Sequence, residues 1–149
     1  MTSRWLVFMA LLALACTGGG SSDAPPPPAP VPTLPPVVGG ELESGDGRWR
    51  VTWAPDPSPL PTGETFAVDV TVAPVDAEAK LPRDLKLSVD AGMPHHGHGM
   101  NVFPEVTAQG EGSFRAEGLL FHMPGSWDVY FDVTDGAFTE RAQTEVEIE

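Results

Sequence analysis

Cysteine is almost missing from this sequence. The 149-residue chain has one, Cys16, which excludes an internal disulfide, a Cys₂ or Cys₄ zinc site and a CxxC redox pair. Basic residues are scarce too: eight Lys and Arg stand against 21 Asp and Glu, a formal charge of −13. Nucleic acid is a poor partner for such a surface, because binding it depends on neutralising phosphates. Acidic lipid headgroups are disfavoured for the same reason. Aromatics are 8% of the chain, against 16 glycines and 17 prolines. That balance disfavours a helical bundle and suits a small β domain with an irregular extension. No segment keeps a 3.6-residue period, and no apolar run reaches the ~20 residues that a spanning helix needs. The length allows one domain of ordinary size.

An apolar run does occupy residues 5–15, preceded by Arg4 as the one early charge. Its length fits the apolar region of a secretory signal. The run ends Leu-Ala-Leu-Ala-Cys, which resembles a bacterial lipobox, with Ala13 where leucine is usual. On that reading residues 1–15 are a signal peptide, and Cys16 is lipidated and becomes the mature N-terminus. Acyl chains, at ~0.8 kcal/mol per buried CH₂, then anchor the protein to a membrane. Thr17, where Asp would follow in an inner-membrane lipoprotein, points by analogy to the outer membrane. Residues 16–47 hold a Gly/Ser block and eight prolines between Pro25 and Pro36. They offer little apolar surface to bury and read as a tether, flexible and then polyproline-like.

From Arg48 the pattern changes to period two, and residues 48–149 read as the folded domain. Trp49, Val51 and Trp53 share a face, as do Phe66, Val68, Val70 and Val72. Leu85, Leu87 and Val89 repeat the pattern, Phe114 starts another strand, and Trp127, Val129, Phe131 and Val133 follow. Asp135-Gly136 is a turn signal, after which Ala142, Thr144, Val146 and Ile148 alternate to the end. Six or more short strands without helices predict an all-β fold, an immunoglobulin-like antiparallel β-sandwich.

The unusual residues are concentrated. All four histidines and every methionine beyond the leader lie between Met93 and Met123. The segments are Met93-Pro-His-His-Gly-His-Gly-Met100 and His122-Met123-Pro-Gly125. Thioether sulfur is soft and favours Cu(I), while imidazole suits copper, zinc and nickel. Carboxylates, which Ca²⁺ or Mg²⁺ would require, are absent between Asp90 and Glu105. In an extended backbone His96, His98 and Met100 point to one side, and Gly97 and Gly99 let the chain curl. Met93 enters the candidate set from the preceding strand end, and His122 and Met123 from a second loop. His95 breaks the alternation and is the weakest candidate. A blander reading makes the histidines a solvated surface loop and Met123 a gap-filling core residue, sharing parity with Leu119 and Phe121. A blue-copper centre is excluded because it needs a cysteine thiolate. Ser126 lies near His122 but has no GxSxG context, so no catalytic role is expected.

These segments, with Phe114, Phe121-His-Met-Pro-Gly-Ser-Trp127 and Thr139-Glu-Arg-Ala-Gln143, resemble the YtkA-like/FixH family over roughly residues 65–149. The resemblance implies an exported or membrane-anchored bacterial β-sandwich domain associated with copper handling or cytochrome oxidase maturation. The chain departs from FixH in its anchor, where a lipid and tether replace a transmembrane helix.

The expectation is therefore a lipid-anchored protein of the cell envelope, facing the periplasm. It binds copper through Met93, His95, His96, His98, Met100, His122 and Met123, for buffering, delivery or oxidase-related maturation. Its partners would be the metal ion and a copper donor or acceptor. Zinc is the competing ion: three histidines support it and the methionines argue against it. A metal-free interaction or scaffold domain is the alternative from another class.

Overall fold

In the computed structural model of the chain, residues 39–136 and 138–149 are described. The expected signal peptide, Cys16 and the tether up to residue 38 lie outside them. Among the described residues the strands are β1 (Gly40–Glu43), β2 (Trp49–Asp56), β3 (Thr65–Pro74), β4 (Leu85–Met93), β5 (His98–Gly99), β6 (Glu105–Gly110), β7 (Ser113–Leu120), β8 (Gly125–Asp135) and β9 (Thr139–Ile148). They form two antiparallel sheets, ordered β1-β2-β3-β7-β6 and β5-β4-β8-β9. The all-β sandwich expected from the alternating pattern is the fold.

Successive side chains of a strand point to opposite faces, so each period-two run buries one set. Trp49, Val51 and Trp53 of β2 and Phe66, Val68, Val70 and Val72 of β3 are buried from the first sheet. Leu87, Val89 and Ala91 of β4 and Trp127, Val129, Phe131 and Val133 of β8 face them from the second. Aromatic contacts cross between the sheets. Trp53 meets Phe131 at 5.6 Å between ring centroids, and Phe121, just past β7, lies 4.9 Å from Phe66 and 5.0 Å from Trp127.

The sheets contain strands that the pattern did not announce. β1 pairs with β2, Gly40 opposite Trp53 and Glu43 opposite Arg50, so the first sheet begins inside the stretch expected to be tether. Its sequence, Gly-Glu-Leu-Glu, offers one apolar residue, Leu42, and no visible alternation. β6 is an edge strand with Val106 half-buried and the rest exposed. A strand with so little to bury has no apolar period to read.

β7 also changes parity along its length. Phe114 and Ala116 are buried, and so are Leu119 and Phe121. The pairing with β3 skips Gly118, since Ala67 faces Glu117 while Phe66 faces Leu119. Gly118 has φ +83°, a left-handed conformation that glycine adopts without a Cβ penalty. The bulge turns Leu119 and Phe121 inward and leaves Leu120 and His122 on the other parity.

An acidic chain must keep its carboxylates from repelling one another across the sheets, and arginines sit among them. Arg115 of β7 bonds Asp56, Asp69 and Glu117, with Asp69 directly opposite on β3. Those bonds, Asp56 first, hold its guanidinium above the ordinary arginine range. Arg141 of β9 bonds both oxygens of the facing Asp132, at 2.7 Å each. At the end of the sandwich near residue 44, Ser44 donates to the buried Glu140 at 2.8 Å and accepts from the Trp49 amide at 3.0 Å. Arg48 pairs with both Glu140 and Asp135. Glu140 belongs to the second sheet and Trp49 to the first, so this polar cluster clasps the two.

The fully buried Phe131 and the solvent-facing Arg115 give a contrasting pair of mutations. Phe131→Ala is expected to cost about 3–5 kcal/mol in urea unfolding, from lost burial and the cavity left behind. Arg115→Ala is expected to cost far less, with a loss that shrinks in high salt because exposed ion pairs are screened.

Candidate metal site

The histidines and methionines gather at one end of the sandwich, where β4 and β7 finish and β8 begins. β4 turns back into β5 through residues 94–97, with Gly92 opposite Gly99 and Met93 opposite His98. The amides of His96 and Gly97 both donate to the Met93 carbonyl, at 3.0 and 2.9 Å. Gly97 has φ +69° and open space around the position a Cβ would take. Backbone conformation, not crowding, is therefore what requires glycine there. The turn departs from the extended backbone expected for residues 96–100. His98 and Met100 keep the strand alternation, while His96 belongs to the turn.

The second segment arrives from the other sheet. After the Gly118 bulge, residues 120–122 run out of β7 alongside residues 98–100. The Leu120 amide donates to the Met100 sulfur at 3.5 Å. The His98 and His122 rings lie 5.2 Å apart, and His96 lies 5.7 Å from His98. The three rings thus form a row from the exposed turn toward the interior. His96 and His98 are exposed and His122 is half-buried.

Trp127 stands beneath this row, with 0% of its surface exposed. Its ring meets His122 edge-on, at 5.2 Å and 86°, and His98 at 6.1 Å and 71°. The indole N–H donates to the Met123 carbonyl at 3.1 Å, which fixes the His-Met-Pro-Gly turn against the core. His122 Nδ1 is buried and has no hydrogen-bond partner among the described residues. A buried polar atom without a partner carries a desolvation cost and calls for a bound water, an ion or a functional role.

The seven expected ligand residues separate in this arrangement. The His98 and His122 rings come together and His96 adjoins His98, while Met100, partly buried against the core, accepts from the Leu120 amide. His95 stands in the exposed turn, with no aromatic contact recorded among the described residues. Met93, expected among the ligands, is a core residue. It shares the inward parity of β4 with Val89 and Ala91 and is 2% exposed. Its methyl lies 2.9 Å from where a Cβ on Gly125 would stand. Met123 is half-buried against the same core. Among the described residues no group of three or more His, Cys, Asp or Glu side chains is arranged to hold a metal ion. Two imidazoles are what the geometry brings together, with the Met100 thioether two residues beyond His98 along the chain.

The sequence profile described as YtkA-like matches residues 43–132. The chain belongs to the YtkA-like family. The matched span runs from the end of β1 into β8, and so contains the histidine loop, the His-Met-Pro-Gly turn and Trp127. No curated protein and no solved structure matches the chain. The Leu120 amide was not singled out by sequence reasoning, and Trp127 was read there as a core strand residue and as the end of the family motif, not as part of the site. The signal for Trp127 was present, since it opens an alternating run directly after the second His/Met segment.

Trp127→Phe keeps an aromatic ring but leaves the Met123 carbonyl without its donor. The expected loss is about 1–3 kcal/mol of stability in denaturant melts, with changed NMR shifts for the His98 and His122 rings.

Proposed function

We propose that this YtkA-like protein is a lipid-anchored copper-binding domain of the cell envelope, holding copper as cargo for buffering, delivery or oxidase-related maturation. The observation that carries the reading is the buried, unpartnered Nδ1 of His122, whose ring lies 5.2 Å from that of His98; the Met100 thioether accepts from the Leu120 amide, two residues before His122. Imidazole and thioether are a donor pair suited to copper, and a thioether is a poor partner for harder ions. The half-exposed position of the donors suits a cargo that must leave as well as bind, by exchange onto the ligands of a second protein. The lipobox-like leader supports the envelope location and the anchor.

The competing reading, a metal-free interaction domain, draws on Phe103. It lies three residues beyond Met100 and is 100% exposed. An exposed phenylalanine beside the histidine loop suits docking on another protein, and equally suits docking of a copper donor or acceptor.

Titration of the full chain with copper, against a chromophoric competitor, separates the two. Tight binding of about one copper per chain is expected, lost in the His98→Ala/His122→Ala variant while the fold persists. Imidazole coordinates metal only when deprotonated, so affinity is expected to be weaker at about pH 5 than at about pH 7.5. Equal affinity at the two pH values would exclude the histidines as ligands. Absence of copper binding would leave the interaction domain.

A further inference from the structure

The four histidines are unequal in burial and in what surrounds them, and the difference assigns them separate tasks. His122 is the interior member of the row, with its Nδ1 sealed away and unpartnered and Trp127 standing edge-on against its ring. His98 is the shared member, 5.2 Å from His122 on one side and 5.7 Å from His96 on the other. His96 lies in the exposed turn and does not reach the interior. The Leu120 amide, two residues before His122, donates to the sulfur of Met100, two residues after His98, and leaves the second sulfur lone pair free.

The donor count bears on the oxidation state. Structural zinc almost always takes four protein ligands of the Cys, His, Asp and Glu classes. Cu(II) favours tetragonal nitrogen and oxygen sets. No group of even three such side chains is assembled among the described residues. Thioether-containing sets select Cu(I).

Building on the copper reading above, we infer that the site selects the cuprous ion. His98, His122 through Nδ1, and Met100 hold it, while His96 is the exposed ligand through which it loads and unloads. His95, Met93 and Met123 take no part in holding it. The His122 ring then carries its proton on Nε2, and Trp127 limits the room for further ligands on the core side. His98 is common to the outer and inner pairs, so an ion can move between them by exchanging one ligand at a time.

The test uses the full chain under anaerobic conditions, titrated separately with Cu(I), Cu(II) and Zn(II). The variants are His96→Ala, His98→Ala, His122→Ala and Met100→Leu. Cu(I) is expected to bind at least ~100-fold tighter than Zn(II) or Cu(II), and the variants at His98, His122 and Met100 to weaken it by roughly tenfold or more. His96→Ala is expected to leave the equilibrium constant within about threefold while slowing transfer to a chelator in stopped-flow mixing. Nitrogen-15 NMR of the wild type then reads which His122 nitrogen shifts on Cu(I) addition, independently of whether the His122 variant folds. The expected atom is Nδ1, and a shift at Nε2 would overturn the assignment. Zn(II) or Cu(II) binding as tightly as Cu(I) would overturn the selectivity and leave the copper reading standing. His96→Ala weakening Cu(I) as much as His98→Ala would overturn the division of tasks. Failure of all three ions to bind would overturn the copper reading itself.

Discussion

Much of this molecule follows from the need to satisfy one buried N–H. The indole of Trp127 is enclosed in the core, where an unpaired donor would carry the full cost of its desolvation. Its acceptor is the carbonyl of Met123, four residues earlier. That bond ties the turn between β7 and β8 to the indole at the start of β8. His122, one residue before the acceptor, is thereby set against the indole face of the sandwich end. The side chain that anchors the second sheet in the core also supports the histidine contributed from the first.

Two further constraints complete the site from independent parts of the sequence. The Gly118 bulge reverses the parity of β7, sending Leu119 and Phe121 inward and His122 to the other side. Without that extra residue the same sequence would point His122 into the core. The β4–β5 turn returns the chain antiparallel to itself and delivers His98 opposite Met93. Directly paired residues share a face, so His98 lies on the same side of the sheet as the buried Met93, and its exposure comes from its place on the edge strand β5. The charged clasp of Ser44, Arg48, Asp135 and Glu140 lies at the other end of the sandwich. The end that carries the imidazoles is closed chiefly by backbone and aromatic contacts, among them the Gly63 amide donating to the Phe121 carbonyl at 2.7 Å.

The core was legible because its strands bury one face: Trp49, Val51 and Trp53, or Trp127 through Val133, announce themselves by alternation. β1 and β6 were not, because each buries almost nothing and earns its place by backbone pairing, which leaves no mark on side-chain pattern. The gathering of His and Met residues near one another was legible from composition alone. Their division was not. His96, His98 and Met100 look equivalent at alternate positions, and a left-handed Gly97 separates the first from the others. Met93 looks like a ligand by residue type and is a core residue by strand parity. Met123 sits where its parity with Leu119 and Phe121 places it, against the core.

The acidity of the chain and the softness of the site bear on one another. Carboxylates dominate the surface, yet those on the two outer sheet faces are drawn toward arginines, as Asp56, Asp69 and Glu117 are toward Arg115 and Asp132 toward Arg141. The histidine loop carries none between Asp90 and Glu105. A strongly negative protein attracts cations of every kind over distances near the Debye length, about 8–10 Å at ordinary ionic strength. Long-range attraction does not discriminate between ions, so discrimination must come from the atoms at the point of contact. Imidazoles beside a thioether, with no carboxylate among them, are donors that hard cations bind poorly. On the proposed copper reading, the charge collects cations near the protein, and the donors of the loop decide which of them is held.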